Sequence, residues 1–234
     1  MQESSGQISP RLVAGWRRLS AVELLIALAV LLISFPFVQP LHSGVFIESI
    51  LFSFVLISSV LAIAESRRTV VIAGILAVPA LVGRWVSQYG HKLLPLEISL
   101  AACILLTAYV VWNLLRFLFR ARSVDTETLC IGLSAYLLLG LLWAFAYWLV
   151  DELVPNAFFF GTTSGADATI QGLNGLYYSF ITLCTVGYGD IVPVAGIARM
   201  LAAIEAIVGM LYVAVLIARL VALHATPTSL SNEN

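Results

Sequence analysis

Charge is scarce in this chain: of its 234 residues 11% are Asp, Glu, Lys or Arg, whereas 61% are hydrophobic. A water-soluble domain of that length cannot hide so much apolar surface, which leaves a polytopic membrane protein. No basic run marks a polyanion site, and no nucleic-acid partner is expected at a net charge of −1. Cysteine is sparse too. Cys103, Cys130 and Cys184 lie in hydrophobic stretches at spacings unlike any metal motif, so they are expected to be small buried residues without disulfides. The three histidines, His42, His91 and His224, stand at the ends of hydrophobic stretches. With no Ser-His-Asp, Cys-His or metal-ligand set, no enzymatic activity and no resident cofactor are expected. Repeats, low-complexity blocks and a soluble domain are also lacking.

What is present is a series of apolar runs separated by polar connectors. Polar residues 1–19 precede a first run at Ser20–Val38, with Pro36 and Pro40 at its far end. The run is long enough to span a bilayer, and no small-residue cleavage site follows it. Further runs cover Val45–Ala64, Thr69–Ser87 with Pro79 inside, Pro95–Phe119 and Thr128–Val150. Pro95 suits a first helical turn. The connector before the fifth run ends in Asp125-Thr126-Glu127, a capping residue followed by an acid in the first turn. Asp151–Gln171 is polar and too long for a tight turn. A short apolar helix near Leu173–Cys184 then re-enters the membrane, and a last span covers Val194–Leu223.

The predicted fold class is therefore an all-α membrane protein with six transmembrane helices and one re-entrant helix. With the N-terminus inside, Arg11, Arg17, Arg18, Arg67, Arg68, Arg116, Arg120, Arg122 and Arg219 fall on the cytoplasmic side. Only Arg84, Lys92 and Arg199 fall outside. This asymmetry predicts cytoplasmic termini in a multi-pass protein of the plasma (inner) membrane. Four units follow: a cytoplasmic segment at 1–19, a four-helix unit at 20–122, a second membrane unit at 123–224 and a tail at 225–234.

The second unit holds the most specific signal, Thr185-Val186-Gly187-Tyr188-Gly189-Asp190. A dehydrated cation crossing a bilayer needs oxygen ligands in place of its water, and consecutive backbone carbonyls aimed at one axis supply them. Extended chain points alternate carbonyls to opposite sides. Aiming several the same way requires alternating backbone hand, and Gly187 and Gly189 enter the left-handed region without steric cost. Val186 and Tyr188 then point away from the axis. This reads as a potassium-selective filter. One such strand cannot surround an ion, so a homotetramer with the pore on its fourfold axis is expected.

From Leu176 the text runs Leu-Tyr-Tyr-Ser-Phe-Ile-Thr-Leu-Cys-Thr-Val-Gly-Tyr-Gly-Asp-Ile-Val-Pro and continues through Arg199 and Glu205 to Val208-Gly209-Met210. Over residues 128–223 this closely resembles bacterial potassium channels of the tetrameric, voltage-gated-like cation-channel superfamily. The resemblance implies K⁺ sites formed by the carbonyls of Thr185, Val186, Gly187 and Tyr188 with the Thr185 hydroxyl. Gly189, Asp190, Tyr177, Tyr178 and Cys184 would support the filter. Cys184 stands where family members usually carry Thr, which bears on a hydrogen bond behind the filter. Tyr177-Tyr178 stands where many carry tryptophans, and a phenol of this pair is expected to reach Asp190 of the same or a neighbouring subunit. Gly209 occupies the family's inner-helix hinge position and is either a bending point or a packing site.

Glu205 is a carboxyl inside a membrane span, expensive unless paired or protonated. It is expected behind the re-entrant helix, near Thr182, with pH sensing and cavity electrostatics as alternative roles. Asp151, Glu152 and Asp167 of the outer loop either gather cations or are ordinary solvated residues, and Arg199 is expected to pair with an acid. Glu23, Glu48, Glu97 and Arg84 read as anchors or interhelical pairs. The fourth run has no basic residue before Arg116, which argues against conventional voltage sensing. No nucleotide-binding domain is expected after Leu223. The expected function is passive K⁺ conduction through lipid bilayer; a K⁺ transporter subunit and a non-conducting scaffold that keeps the pore fold are the alternatives.

Overall fold

The computed structural model describes residues 10–38, 44–63, 67–88, 95–121, 125–161 and 169–225. The elements are α1 (Pro10–Val38), α2 (Gly44–Ala62), α3 (Arg67–Gln88), α4 (Leu96–Arg120), α5 (Thr126–Leu153), β1 (Phe158–Phe160), α6 (Leu173–Leu183), β2 (Ile191–Pro193) and α7 (Gly196–Ala225). The segments before Pro10 and after Ala225, together with His42, Lys92, Arg122 and Asp167, lie outside the described residues.

Among the described residues, Ser20–Val38, Leu96–Arg120, Thr126–Leu153 and Gly196–Ala222 are long and apolar enough to cross a membrane. Phe46–Ala62 is a shorter apolar helix. At 1.5 Å per residue, the 11 residues of α6 reach only ~16 Å, about half the depth of a hydrocarbon core. That helix is too short to cross. Two boundaries differ from expectation: α1 begins ten residues before Ser20, and Pro36 lies within it rather than marking its end.

The helix ends follow from local chemistry. Asp125 caps α5: its Oδ1 accepts from the Thr128 amide at 2.9 Å and from the Thr128 hydroxyl at 2.7 Å. Glu127 complements the dipole in the first turn. Pro95 is the N-cap of α4, with φ −55° and ψ 140°, and Arg120 lies in the last turn of that helix.

Packing joins the first helices to α5. Leu24, Leu28, Leu31 and Phe35 recur at helical spacing along α1 and are all buried. Phe35 meets Phe52 of α2 edge-on with ring centres 5.9 Å apart, and Phe52 in turn meets Trp148 of α5 at 5.9 Å. Edge-to-face pairs of this kind contribute ~0.5–1.5 kcal/mol beyond area burial. In lipid such dispersion contacts matter more than apolar burial, because lipid tails are as apolar as the core. Close approach does the same between α3 and α4, where a Cβ at Gly83 would collide with the Ser99 side chain.

The two strands were not foreseen, since the stretch at 151–171 reads as polar loop. The helix α5 continues to Leu153, and β1 pairs antiparallel with β2, Phe158 opposite Pro193 and Phe160 opposite Ile191. Pro193 ends its short edge strand, where a missing donor is tolerated.

Candidate functional site

The site is built where α6 ends. Its last turn tightens, the Cys184 amide donating to Phe180 O at 3.0 Å and the Thr185 amide to Thr182 O at 2.9 Å. Val186 N and Gly187 N then both donate to Ile181 O, at 2.7 and 3.2 Å. The carbonyls a helix leaves unpaired at its C-terminus are thus met by the chain that follows. Positive φ recurs at every second residue: 58° at Thr185, 54° at Gly187 and 79° at Gly189. The two glycines are needed for this backbone hand, not for space, because a Cβ at either would meet nothing within 4 Å. Thr185 takes the same hand although it is β-branched, at a cost of roughly 1–3 kcal/mol that the bonds on both sides must offset.

The chain beyond this segment is pinned in place. Gly161 N donates to Asp190 O at 2.8 Å, and Val194 N and Ala195 N both donate to Ala157 O. Tyr177 Oη donates to Asp190 Oδ2 at 2.8 Å within the same chain, while Asp190 Oδ1 accepts from Ile191 N at 3.1 Å. The Tyr177 ring also stacks on Tyr188, 7° from parallel with centres 6.4 Å apart. Tyr178 does something different. It is buried against Tyr147, 4.9 Å away, and Phe158, 5.5 Å away, so it braces α6 on α5 and β1 rather than reaching Asp190.

Polar residues tie α6 to its neighbours. Glu205 of α7 is fully buried. Its partners are the Ser179 hydroxyl, 2.6 Å from Oε1, and the Tyr147 phenol at Oε2. Ser179 Oγ also lies 2.7 Å from Gly140 O. Gly132, Tyr136 and Gly140 recur every four residues along α5 and so share a face. Tyr212 of α7 donates to Gly132 O at 2.6 Å, and the Phe180 ring occupies the place of a Cβ at Gly140.

Two expectations are corrected here. Cys184 is exposed in the single chain rather than buried, and its sulfur keeps a polar contact, 3.3 Å from Tyr136 Oη. A thiol is long enough to reach a phenol on α5. Arg199 donates through Nε to Pro193 O at 3.2 Å instead of pairing with an acid. Gly209 abuts the last carbonyl of α6: a Cβ there would collide with Leu183 O.

Tyr136, Tyr147, Ser179 and Tyr212 were not singled out from the sequence. Their one signal is a polar atom at an apolar helical position, which gives no partner. The segment itself faces outward from the single chain, with Val186 51% and Tyr188 72% exposed. A family model described as "ion channel" matches residues 135–224. The match covers most of α5, both strands, α6, the Thr185–Asp190 segment and nearly all of α7, and this part of the chain is similar to an ion-channel pore domain. Comparison with curated proteins gives no match.

Proposed function

We propose that four copies of this chain assemble around a common axis into a K⁺-selective channel that conducts passively down the electrochemical gradient. The observation that carries this reading is the left-handed backbone at Thr185, Gly187 and Gly189, set at the end of a helix too short to cross. Alternating hand is what lets successive carbonyls face one axis. The carbonyls of Thr185, Val186, Gly187 and Tyr188, with the Thr185 hydroxyl, then replace the water of a permeating K⁺. The C-terminal end of α6, with its partial negative charge, favours a cation below them. Tyr177, Gly189 and Asp190 hold the outer mouth, and Tyr178 and Cys184 support the segment from behind. The exposed Val186 and Tyr188 are surfaces that neighbouring subunits cover.

In this reading α2 and α3 also cross the bilayer, giving six spans with both termini cytoplasmic, in the plasma (inner) membrane. The helix α4 carries no basic residue before Arg116. Moving one charge through the field is worth about 2.3 kcal/mol per 100 mV, so a helix without charges at membrane depth does not sense voltage in the conventional way. Gly209 and Glu205, both on α7 against α6, are the residues through which opening would act.

Purified protein reconstituted in K⁺-loaded vesicles tests this. Efflux with K⁺ outside, block by Ba²⁺ and exclusion of Na⁺ are expected. Equal Na⁺ and K⁺ permeability would sink the selectivity, and no flux at any voltage or pH would favour a scaffold.

A further inference from the structure

Tyr136 stands in the first half of α5, outside the Thr185–Asp190 segment, yet it touches the residue from which that segment starts. Its Oη is 3.3 Å from Cys184 Sγ. Cys184 closes α6 at φ −83° and ψ 1°, and the next residue, Thr185, turns at once into the left-handed region at φ 58°. The residue before the turn is thus held twice, through its side chain and through its amide, which donates to Phe180 O at 3.0 Å. A β-branched residue keeps a positive φ only where its surroundings impose it, and Cys184 is one side of those surroundings.

The ring of Tyr136 is held from α7. Tyr212 lies against it with ring centres 5.4 Å apart and planes 38° from parallel. Tyr212 is itself fixed one turn back along α5, where its Oη donates to Gly132 O at 2.6 Å. Gly209, one turn before Tyr212 on α7, abuts the carbonyl of Leu183, the residue before Cys184. The helix α7 therefore reaches the start of the segment by two routes: close packing at Gly209, and a relay from Tyr212 through Tyr136 to Cys184. The last link of the relay is its weakest, because sulfur is a poor donor and a poor acceptor. It is a tether that small movements can break.

We propose that Tyr136 is a positioning residue for the inner end of the conduction segment: its hydroxyl holds Cys184, Cys184 holds the left-handed turn at Thr185, and Tyr212 makes that hold depend on where α7 stands. This rests on the reading of Thr185–Asp190 as the K⁺ path, in which the Thr185 carbonyl and hydroxyl are the innermost ligands. With the tether released, Thr185 relaxes toward an ordinary backbone hand. Its carbonyl then leaves the axis, and the fourfold arrangement repeats the loss in every subunit, so that one ring of ligands is gone. A displacement of α7 that parts Tyr212 from Tyr136 acts in the same way as loss of the Tyr136 hydroxyl.

The test uses the full chain, in detergent for amide hydrogen exchange over residues 184–187 and in K⁺-loaded vesicles for permeability. Tyr136→Phe keeps the ring beside Tyr212 and removes only the hydroxyl; exchange should quicken about threefold, the worth of one weak hydrogen bond. Cys184→Ala should do the same, and the double variant no more than either alone, because both break one contact. Tyr212→Leu should quicken exchange in the wild-type background and add nothing to Tyr136→Phe. In vesicles, Tyr136→Phe and Cys184→Ala should each raise the permeability of Na⁺ relative to K⁺ by about the same threefold factor, a ratio that a purely structural contact would leave alone. Should Tyr136→Phe lose helix content on circular dichroism, Cys184→Ala decides alone. The exchange result judges the tether whether or not the chain conducts: absence of wild-type K⁺ flux sinks the channel reading, while additive effects or unchanged exchange overturn the tether. If the wild type conducts and the permeability ratio stays fixed in the variants, the positioning role is overturned and the channel reading stands.

Discussion

The Ser179 hydroxyl of α6 lies 2.6 Å from Oε1 of Glu205 on α7, although the two are 26 residues apart. Ser179 Oγ is also 2.7 Å from Gly140 O, and Tyr147 Oη contacts Glu205 Oε2. That makes three short contacts, while Ser179 and Tyr147 together bring two protons. A carbonyl cannot donate, so either the one Ser179 proton is shared between Gly140 O and Glu205 Oε1, or a proton on the Glu205 carboxyl supplies the third bond. Three helices close on one another through this chain of donors.

With the proton on the carboxyl, Glu205→Gln should be tolerated, because an amide both donates and accepts where a neutral carboxyl does. Glu205→Ala should cost about 1–3 kcal/mol for the buried partners left unpaired, with the lost volume in addition. Thermal unfolding of the detergent-solubilised protein separates the two. If Glu205→Gln melts as low as Glu205→Ala, the carboxyl is charged in place and the Ser179 proton is the shared one.

Tyr177→Phe keeps the ring stacked on Tyr188 but removes the 2.8 Å bond to Asp190. Asp190 is exposed, so the loss is small: about 0.5–1 kcal/mol, or roughly two- to fivefold in the balance between intact and collapsed outer mouth. Recordings of current decay from reconstituted protein should show that acceleration. Tyr178→Phe should leave the decay rate alone, since its ring packs on Tyr147 and Phe158. Equal effects of the two substitutions would remove the bracing role from Tyr177.

How far these features could be read in advance depended on whether the signal was local. The helices α4, α5 and α6 began within two residues of their expected starts, because an apolar run, Asp125 and Pro95 each act over a few residues. Alternating backbone hand was expected at Gly187 and Gly189, since only glycine adopts it freely; Thr185 was missed because nothing in a threonine announces a positive φ. The strand at Phe158-Phe159-Phe160 has no polar alternation to betray it, and three residues form a strand only because Ile191–Pro193 arrives beside them. The same holds for Glu205. Its burial in a span was legible, but Tyr147, 58 residues away, could be named as partner only once α5 and α7 were placed together. Arg199 was expected to find an acid, yet its Nε donates to the carbonyl of Pro193 at the end of β2.

Gly209→Ala should be costly for steric reasons. The new methyl would meet the Leu183 carbonyl, a backbone atom at the end of α6 that cannot rotate away. Overpacking of this kind costs about 1–3 kcal/mol, more than the ~1 kcal/mol that alanine returns over glycine within a helix. A lower melting temperature with the α6–α7 contact loosened is the expected result. A melting temperature that rises, accompanied by altered open probability, would mark Gly209 as a bending point instead.

Arg219 of α7 reaches back to the end of α4, where one nitrogen, Nη2, donates to Phe119 O at 3.0 Å and to Ala121 O at 2.7 Å. The last carbonyls of a helix have no partner within it, and a cation there also meets the negative end of the dipole. Arg219 thus caps α4 from outside and fixes the far end of α7 to the end of α4. Arg219→Ala should release that helix end, costing about 1 kcal/mol for a half-buried charged donor. Amide hydrogen exchange in residues 117–121 should quicken by roughly fivefold, the same free energy expressed as local opening. Because both bonds come from a single nitrogen, Arg219→Lys can satisfy the same two carbonyls and should restore most of the protection. Exchange unchanged in Arg219→Ala would mean that the end of α4 is held by packing alone, and that movement of α7 is not transmitted to α4 through this side chain.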